Sequence, residues 1–234
     1  PALRQRVTIG LGIEDGATAG PWVAYLAGLH DIGKASPVFQ QKAEGCHDRL
    51  RQAGITWERN PDDPGHGTIS AYAIKTLLPE YHGVSQIVAN DLATAIGGHH
   101  GAFPSGDKVE KMVGSLTGGN EQWVAMRRDL ASTLADLLGV AQESGPQRID
   151  HATAMILAGL VSVADWIGSD ERYFKYNGAE ADAGTLELDA YRERAATRAR
   201  QALEELGWLG WTPSDTSLSF TDLFPNLPGE PRPV

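Results

Sequence analysis

Six side chains in this sequence are of types that bind divalent metal ions, and they fall into four short motifs. The motifs are His30-Asp31, His66, His99-His100 and Asp165. Imidazole nitrogens are borderline ligands and carboxylate oxygens are hard ones, a mixture that suits first-row divalent metals. The chemistry that these residues could do together is therefore metal binding, provided that the fold brings the four motifs to one place.

Asp165 gives the sharpest single signal. It lies inside the most apolar stretch of the chain, between Val163 and Trp166. Burying a carboxylate costs several kcal/mol unless it is paired or binds a metal. The alternatives are a salt bridge to an arginine or an exposed stripe of the helix, and Ser162 and Ser169 show that a less apolar side exists.

The histidine motifs also have structural interpretations. His30-Asp31 follows an apolar helix, where the helix dipole could stabilise the imidazole without any metal. His99-His100 lies between glycines, which would let both rings turn inward but would equally suit a solvated helix end. His66 would be an unusual N-cap, because Ser, Thr, Asp and Asn are preferred there.

The elements that must position these motifs are predicted to be helices. Apolar residues recur at helical spacing and strand-like alternation is scarce, so the predicted fold class is all-α. The predicted helices are 21–32, 37–42 after an N-cap at Ser36, 67–78 ended by Pro79, 84–96, 121–138, 147–167 and 188–206. Loops are predicted at 44–65 and 101–120. In the helix 147–167, the face predicted to be buried comprises Ala152, Met155, Ile156, Gly159, Val163 and Ile167.

The bulk composition is that of a globular protein with an acidic balance. Thirty acidic and twenty basic residues give a formal charge of −10. This is the wrong sign for a nucleic-acid binder and is natural for an enzyme of small molecules. A single cysteine, Cys46, fits a cytoplasmic location. No apolar run approaches the length of a membrane span, so no membrane association is expected. Because Pro1 is not a methionine, we expect the chain to be processed or cut from a longer one.

Four segments carry a resemblance to a known family. They are "LHDIGKASPVFQ" (29–40), "GHGTISAYA" (65–73), "GGHHGAFP" (97–104) and "VADWIGSD" (163–170). In this order, on an all-α scaffold, they resemble the HD phosphohydrolase superfamily, and more closely the HD nuclease domain of the type I CRISPR-associated nuclease-helicases. The proline-rich tail 220–234 resembles the junction into the helicase portion of that family. The resemblance thus implies an HD domain at 1–219 and a linker at 220–234.

The resemblance implies a site with two metal ions and a role for each residue. Asp31 would bridge the ions, with His30 and Asp165 on one and His66, His99 and His100 on the other. Lys34 would meet the scissile phosphate, although a solvated lysine is an equal alternative. The ions would be iron, manganese, cobalt or nickel. Ser169 and Asp170 are further candidates for shaping the site.

One feature departs from the family pattern. The family carries a further histidine ligand some tens of residues before the His-Asp pair, and here no histidine precedes His30. We therefore expect the ion held by His30 and Asp165 to bind weakly or not at all. His47, His82 in a turn and His151 are expected to be structural, and the arginines of 188–206 to form a solvated face.

The function implied by the resemblance is cleavage of single-stranded DNA in CRISPR interference. The partners would be a fused or separate helicase domain and the RNA-guided Cascade surveillance complex. Two alternatives stay open. The acidic charge favours a phosphohydrolase of small nucleotides, and the missing upstream histidine favours a binding module with a degenerate site.

Overall fold

The protein is described here from a computed structural model, which covers residues 2–14, 16–43, 45–56, 63–112, 116–141, 143–175, 186–209 and 226. The described residues form helices and connecting turns without a strand, so the all-α prediction is confirmed. The helices are α1 (Ala2–Leu11), α2 (Ala19–Gly28), α3 (Pro37–Gln40), α4 (Cys46–Gln52), α5 (His66–His82), α6 (Gln86–Gly97), α7 (Gly106–Glu110), α8 (Glu121–Leu138), α9 (His151–Gly168) and α10 (Leu188–Glu205). Two 3₁₀ turns, Leu29–Lys34 and Leu116–Gly118, complete the set. The predicted linker lies outside the described residues, apart from residue 226.

Helix α5 lies at the centre of the fold. It packs most closely against α6 and against the 3₁₀ turn Leu29–Lys34, and also contacts α7 and α8. The core around it is apolar and fully buried, with Trp22, Leu26, Ile74, Leu78 and Leu92 among its largest side chains. Burial of such side chains stabilises the fold by roughly 1.5–3 kcal/mol each before entropy is subtracted. The core thus fixes α5, which carries His66 at its first residue.

Polar caps determine where the helices near the site begin. Ser85 accepts a hydrogen bond from Val88 N at the start of α6, and Asp150 accepts one from Thr153 N at the start of α9. Such caps satisfy backbone donors that the first helical turn leaves free. The Asp150 carboxylate also pairs with both terminal nitrogens of Arg6 at 2.8 and 3.0 Å, which ties α1 to α9. Helix α1 was not predicted from the sequence.

The prediction that Pro79 ends its helix is wrong, because α5 continues to His82. Proline lacks the N–H that would bond the carbonyl four residues earlier. Here that carbonyl, on Lys75, instead accepts a hydrogen bond from Nε2 of Gln86 at 3.0 Å. The helix ends at His82 and is capped by Gly83, whose φ of 61° is left-handed.

Other predicted boundaries are corrected locally. The segment predicted as one helix over 21–32 is split, because α2 ends at Gly28 and a 3₁₀ turn follows. The predicted loops contain the short helices α4 and α7. The helix predicted from 147 begins at His151, after its cap. The helix predicted over 121–138 is confirmed as α8, and the one predicted over 188–206 corresponds to α10.

The predicted buried face of α9 is also wrong. Ala152 and Gly159 are exposed, and Met155 is 61% exposed, whereas Thr153 and Leu157 are the residues buried against α1 and α6. By length and composition α9 could cross a membrane, with a mean hydropathy of 1.3 and 22% of the span buried. The expectation that no apolar run approaches that length is thereby corrected. The finding is weak evidence for a membrane, since core helices of soluble proteins pass the same test.

Candidate metal centre

The 3₁₀ turn Leu29–Lys34 places His30 and Asp31 against the first turn of α5. Gly33 makes this possible: a Cβ atom there would lie 2.2 Å from the carbonyl oxygen of His66. The Gly33 N–H donates to Oγ of Ser70 at 2.8 Å, which fixes the turn on α5. As a result, Oδ1 of Asp31 lies 3.3 Å from Nε2 of His66.

A second close backbone contact joins α5 to α6. A Cβ on Gly67 would lie 2.4 Å from the Gly97 carbonyl oxygen, so only glycine permits this approach. The contact brings the end of α6 over His66. The Nε2 atom of His66 lies 3.2 Å from Nε2 of His99 and 3.1 Å from Nε2 of His100.

Helix α9 supplies the third side of the site. Its Asp165 has a half-buried side chain whose Oδ1 lies 3.4 Å from Nε2 of His30. Three residues earlier on the same helix, the hydroxyl of Ser162 donates toward the His99 carbonyl at 2.6 Å and also lies 2.9 Å from the Ala158 carbonyl. Asp165 and the His99-His100 segment are thus held together.

All six predicted ligands therefore meet: five of them form two groups that share one residue, and Asp31 lies between the groups. His66, His99 and His100 form one group, and His30, His99 and Asp165 form the other. The ligand atoms of each group lie within 4.8 Å of one another. Asp31 contacts both groups, since its Oδ2 lies 3.2 Å from Nε2 of His30 while its Oδ1 faces His66.

Backbone carbonyls set the tautomers of two of the histidines. Nδ1 of His30 lies 2.6 Å from the Ala27 carbonyl, and Nδ1 of His99 lies 2.9 Å from the Ile96 carbonyl. A carbonyl oxygen only accepts, so each Nδ1 must donate. In the neutral ring Nε2 then carries the lone pair and faces the site, which is how metal-binding histidines are held.

The electrostatics of the site suit a cation. Burial alone would raise the pKa of Asp31, but the neighbouring His30, His66 and Lys34 hold it well below its usual range. Burial lowers the pKa of His99, which favours the neutral ring that can bind a metal. Burial also acts to lower the pKa of His30, but the contacts with Asp31 outweigh it and raise that pKa.

The donor set fits a metal ion, because one of its carboxylate oxygens lacks a hydrogen-bond partner among the described residues. Oδ1 of Asp31 is buried and makes no hydrogen bond of good geometry with any described residue, although the ring of His66 is close. A buried carboxylate oxygen without a partner is costly, and a metal ion would satisfy it. Imidazole and carboxylate together fit divalent first-row ions.

Lys34 and Ser169 lie next to the ligands, whereas Asp170 points elsewhere. The Nζ atom of Lys34 lies 2.5 Å from Oδ2 of Asp31, and the Ser169 hydroxyl donates to Oδ1 of Asp165 at 3.3 Å. Asp170 instead pairs with the exposed Arg172. The arginines of α10 make other contacts: Arg192 donates to the Leu137 carbonyl at 2.6 Å.

The remaining histidines lie outside both groups. His82 is buried at the end of α5, and not in a loop turn as predicted, with Nε2 3.2 Å from the hydroxyl of Tyr25. His151 is exposed at the start of α9. His47 lies in α4, and its side chain is outside the described residues.

Sequence reasoning missed three features of the site. It placed His99 in one group only, it treated Ser162 merely as a sign of a less apolar helix side, and it did not single out Phe39. The ring of Phe39 meets that of His66 edge-to-face, with centroids 5.5 Å apart. For Ser162 a signal was available, since it stands one helical turn before Asp165.

The comparisons with known proteins agree with this geometry. A sequence model of the family described as "Cas3, HD domain" matches residues 1–174. The chain belongs to the Cas3 HD-domain family. The CRISPR-associated endonuclease/helicase Cas3 of Thermus thermophilus is 35% identical to this chain over 219 residues, which are 92% of this chain and 22% of that protein. The chain thus spans about a fifth of the length of the curated Cas3 relatives that it matches.

Solved structures show the same Cas3 HD fold. A crystal structure of a CRISPR-associated protein matches 97% of this chain and 25% of its own, with a TM-score of 0.81 and 41% identity. The Thermus thermophilus Cas3 HD domain in the presence of Ni²⁺ matches 92% of this chain and 79% of its own, with a TM-score of 0.65 and 28% identity. A chain of a CRISPR RNA-guided surveillance complex, described as pre-nicking, matches 91% of this chain and 25% of its own, with a TM-score of 0.67 and 25% identity.

Proposed function

We propose that this Cas3 HD domain is a metal-dependent phosphodiesterase that cuts single-stranded DNA in CRISPR interference. The observation that carries the proposal is the position of Asp31 between two overlapping ligand groups, with the ammonium of Lys34 beside it. Two ions held in this way would activate a water and stabilise the leaving oxygen of a phosphodiester.

Each residue has a distinct role in this proposal. Asp31 would contribute to both ions, since its two oxygens face different groups, and His66, His99 and His100 would hold one of them. His30 and Asp165 would hold the other ion. Lys34 offers a mobile point charge to the scissile phosphate, and Ser169 orients Asp165.

The setting of the domain follows from its relatives. We infer a cytoplasmic enzyme whose DNA is delivered by a helicase portion and by a Cascade-type surveillance complex, because the curated relatives are described as Cas3 nuclease/helicases and one matching structure is a surveillance complex. We also propose that residues 1–219 form the nuclease domain and 220–234 the linker to the helicase.

The test is a cleavage assay with defined metals. Purified protein loaded with manganese, iron, cobalt or nickel should cut single-stranded DNA, and Asp31→Ala should abolish the cut while the fold, followed by circular dichroism, is retained. Metal-loaded wild type that leaves single-stranded DNA intact with all four metals would refute the proposal.

A small-nucleotide phosphohydrolase is the second candidate, because the formal charge of −10 suits small substrates better than a long polyanion. A panel of deoxynucleoside triphosphates and cyclic nucleotides, assayed beside single-stranded DNA, separates the two. A third outcome, no bound metal by elemental analysis and no activity, would leave a binding module with a degenerate site.

A further inference from the structure

The Phe39 ring borders the metal centre and has two lysines near its face. The Nζ atoms of Lys34 and Lys42 lie 5.6 and 5.4 Å from the ring centroid. Both distances fall within the range of a cation–π contact. The other such contact among the described residues, Arg172 with Tyr173, joins sequence neighbours away from the ligand groups.

We propose that Phe39, Lys34 and Lys42 form a nucleotide subsite of the nuclease, called here the Phe39 subsite. In it, the base next to the scissile phosphate stacks on Phe39 and the neighbouring phosphate meets Lys42. The inference rests on the proposed function and extends it by assigning residues that select an unpaired strand.

The position of Phe39 relative to the cut follows from its neighbours. Its ring contacts His66, which lies within 3.3 Å of Asp31, and Lys34 contacts both Phe39 and Asp31. The ring is therefore an aromatic surface that borders the ligand groups on the Lys34 side. A base there would be adjacent to the phosphate at Lys34.

The backbone that carries Phe39 is fixed, so the ring is a preorganised surface. Pro37 and Val38 are buried, and Val38 packs against Ile69 and Met112. The hydroxyl of Ser36 donates to the Gly33 carbonyl at 2.7 Å, which ties α3 to the turn that holds Asp31. Phe39 itself is only partly buried.

The two lysines supply positive charge that the chain lacks overall. Lys34 and Lys42 are 38% and 54% exposed, so a phosphate can reach both ammonium groups. Their four-carbon stems are flexible, and each ammonium can leave the ring for a phosphate oxygen while a base takes the ring face. A stacked base is worth more than an exposed cation–π contact, so the exchange is favourable.

One carboxylate competes with a phosphate for Lys42. Asp63 pairs with Lys42 at 2.5 Å and also accepts the Gly65 N–H at 2.9 Å, just before His66. An exposed pair of this kind contributes little, so a phosphate can displace it. Asp63→Asn should accordingly tighten DNA binding.

Stacking on an aromatic ring is tolerant of sequence but requires an unstacked base. The Phe39 subsite therefore selects single strands over duplexes without selecting a base sequence. Duplex DNA would have to be opened first.

The test compares two oligonucleotides of equal length, oligothymidylate and the same strand made entirely of abasic sites. Affinities are measured by fluorescence anisotropy with EDTA present, so that no cleavage occurs. Wild type should bind oligothymidylate at least about five-fold more tightly, as expected for one stacked base. Phe39→Leu should bring the ratio of the two affinities, oligothymidylate over abasic strand, close to one without changing the affinity for the abasic strand. Phe39→Trp should retain the wild-type ratio.

Replacing Lys42 should change DNA binding in a different way from replacing Phe39. Lys42→Gln should weaken binding to both strands equally. It should also reduce the slope of log affinity against log salt concentration by about one. The matched controls are Tyr81→Leu and Lys75→Gln, fifteen and nine residues after His66 along α5, or about 22 and 14 Å at the helical rise. Both controls should bind as wild type does.

The outcomes separate this inference from the proposed function. One outcome overturns the Phe39 subsite alone: wild type cuts single-stranded DNA but binds the two oligonucleotides with equal affinity, or too weakly to measure. The same holds if Phe39→Leu keeps the ratio while its melting temperature is unchanged. Wild type that cuts no single-stranded DNA with any of the four metals overturns the proposed function and the subsite with it.

Discussion

The Nζ atom of Lys34 lies 2.5 Å from Oδ2 of Asp31. The carboxylate that we propose as the metal bridge is thus paired with a cation of the protein itself. Any ion that binds Oδ2 must compete with this ammonium, and a substrate phosphate near Lys34 would draw the ammonium away. Metal binding and substrate binding should therefore support one another through Lys34.

Replacing Lys34 should tighten metal binding while it slows cleavage. In Lys34→Met the competing charge is gone, and we expect affinity for Mn²⁺ or Ni²⁺ to rise by about two- to five-fold, because a partly exposed pair is screened by solvent. Competition with a chelating dye measures this without any turnover. Lys75→Met is the control, and equal affinity in Lys34→Met and wild type would contradict the competition.

Removing the Ser162 hydroxyl should disturb the site more than the fold. Ser162→Ala loses the bond to the His99 carbonyl at 2.6 Å, at a cost of about 1 kcal/mol in the free energy of unfolding. Metal affinity should fall by up to about ten-fold, since partners that orient ligands matter to affinity. Thr76→Ala removes a similar hydroxyl-to-carbonyl bond from the exposed side of α5 and should leave metal affinity unchanged. If the two variants bind metal equally well, Ser162 does not position His99.

Two glycine-to-alanine changes should have opposite effects on stability. At Gly33 the new methyl group would lie 2.2 Å from the His66 carbonyl and 2.6 Å from Ser70 N, so we expect a loss of about 1–3 kcal/mol and weaker metal binding. At Gly159, inside α9, nothing lies within 4 Å, and the lower entropy of the unfolded chain should add about 0.5–1 kcal/mol. Urea unfolding measures both. A Gly33→Ala protein as stable as wild type would show that the turn can move off α5.

His82 should lower the free energy of unfolding as the pH falls below about 6.5. Burial beside Trp22 and Tyr25 lowers its pKa below 6.5, and its Nδ1 has no hydrogen-bond partner in the part of the chain that the structure describes. Below about pH 6.5 the unfolded chain binds a proton that folded His82 does not, so the free energy of unfolding decreases until the pH reaches the lowered pKa. Urea unfolding between pH 7.5 and 5 should show a smaller pH slope in His82→Phe than in wild type. The exposed His151→Gln is the control and should keep the wild-type slope.

The six residues that meet in the fold could be singled out from the sequence, because their types and neighbours carry local signals. Glycines flank His99-His100, and Asp165 is a carboxylate in an apolar helix. The sharing of His99 between two groups could not be found in this way. It depends on how α5, α6 and the turn Leu29–Lys34 approach one another, which in turn depends on backbone contacts at Gly33, Gly67 and Gly97.

Two errors in the predicted elements have different physical origins: a hydrogen-bond partner on another helix, and a helix whose apolar residues occur on most of its sides. Pro79 stays inside α5 because Gln86, from the next helix, takes the freed carbonyl of Lys75. Helix α9 is apolar on most sides, so periodicity could not tell its buried face from Met155 and Trp166, which are 61% and 70% exposed.

The contact of Gly67 with Gly97 limits how a metal preference of this domain could change. Main-chain atoms are in contact there, so the spacing between His66 and His99 cannot be tuned by exchanging core side chains for larger or smaller ones. Selection for another metal must act on the ligands themselves or on the groups that orient their rings. Evolution of metal preference in this domain should therefore proceed by discrete ligand exchange and not by gradual adjustment of the cavity.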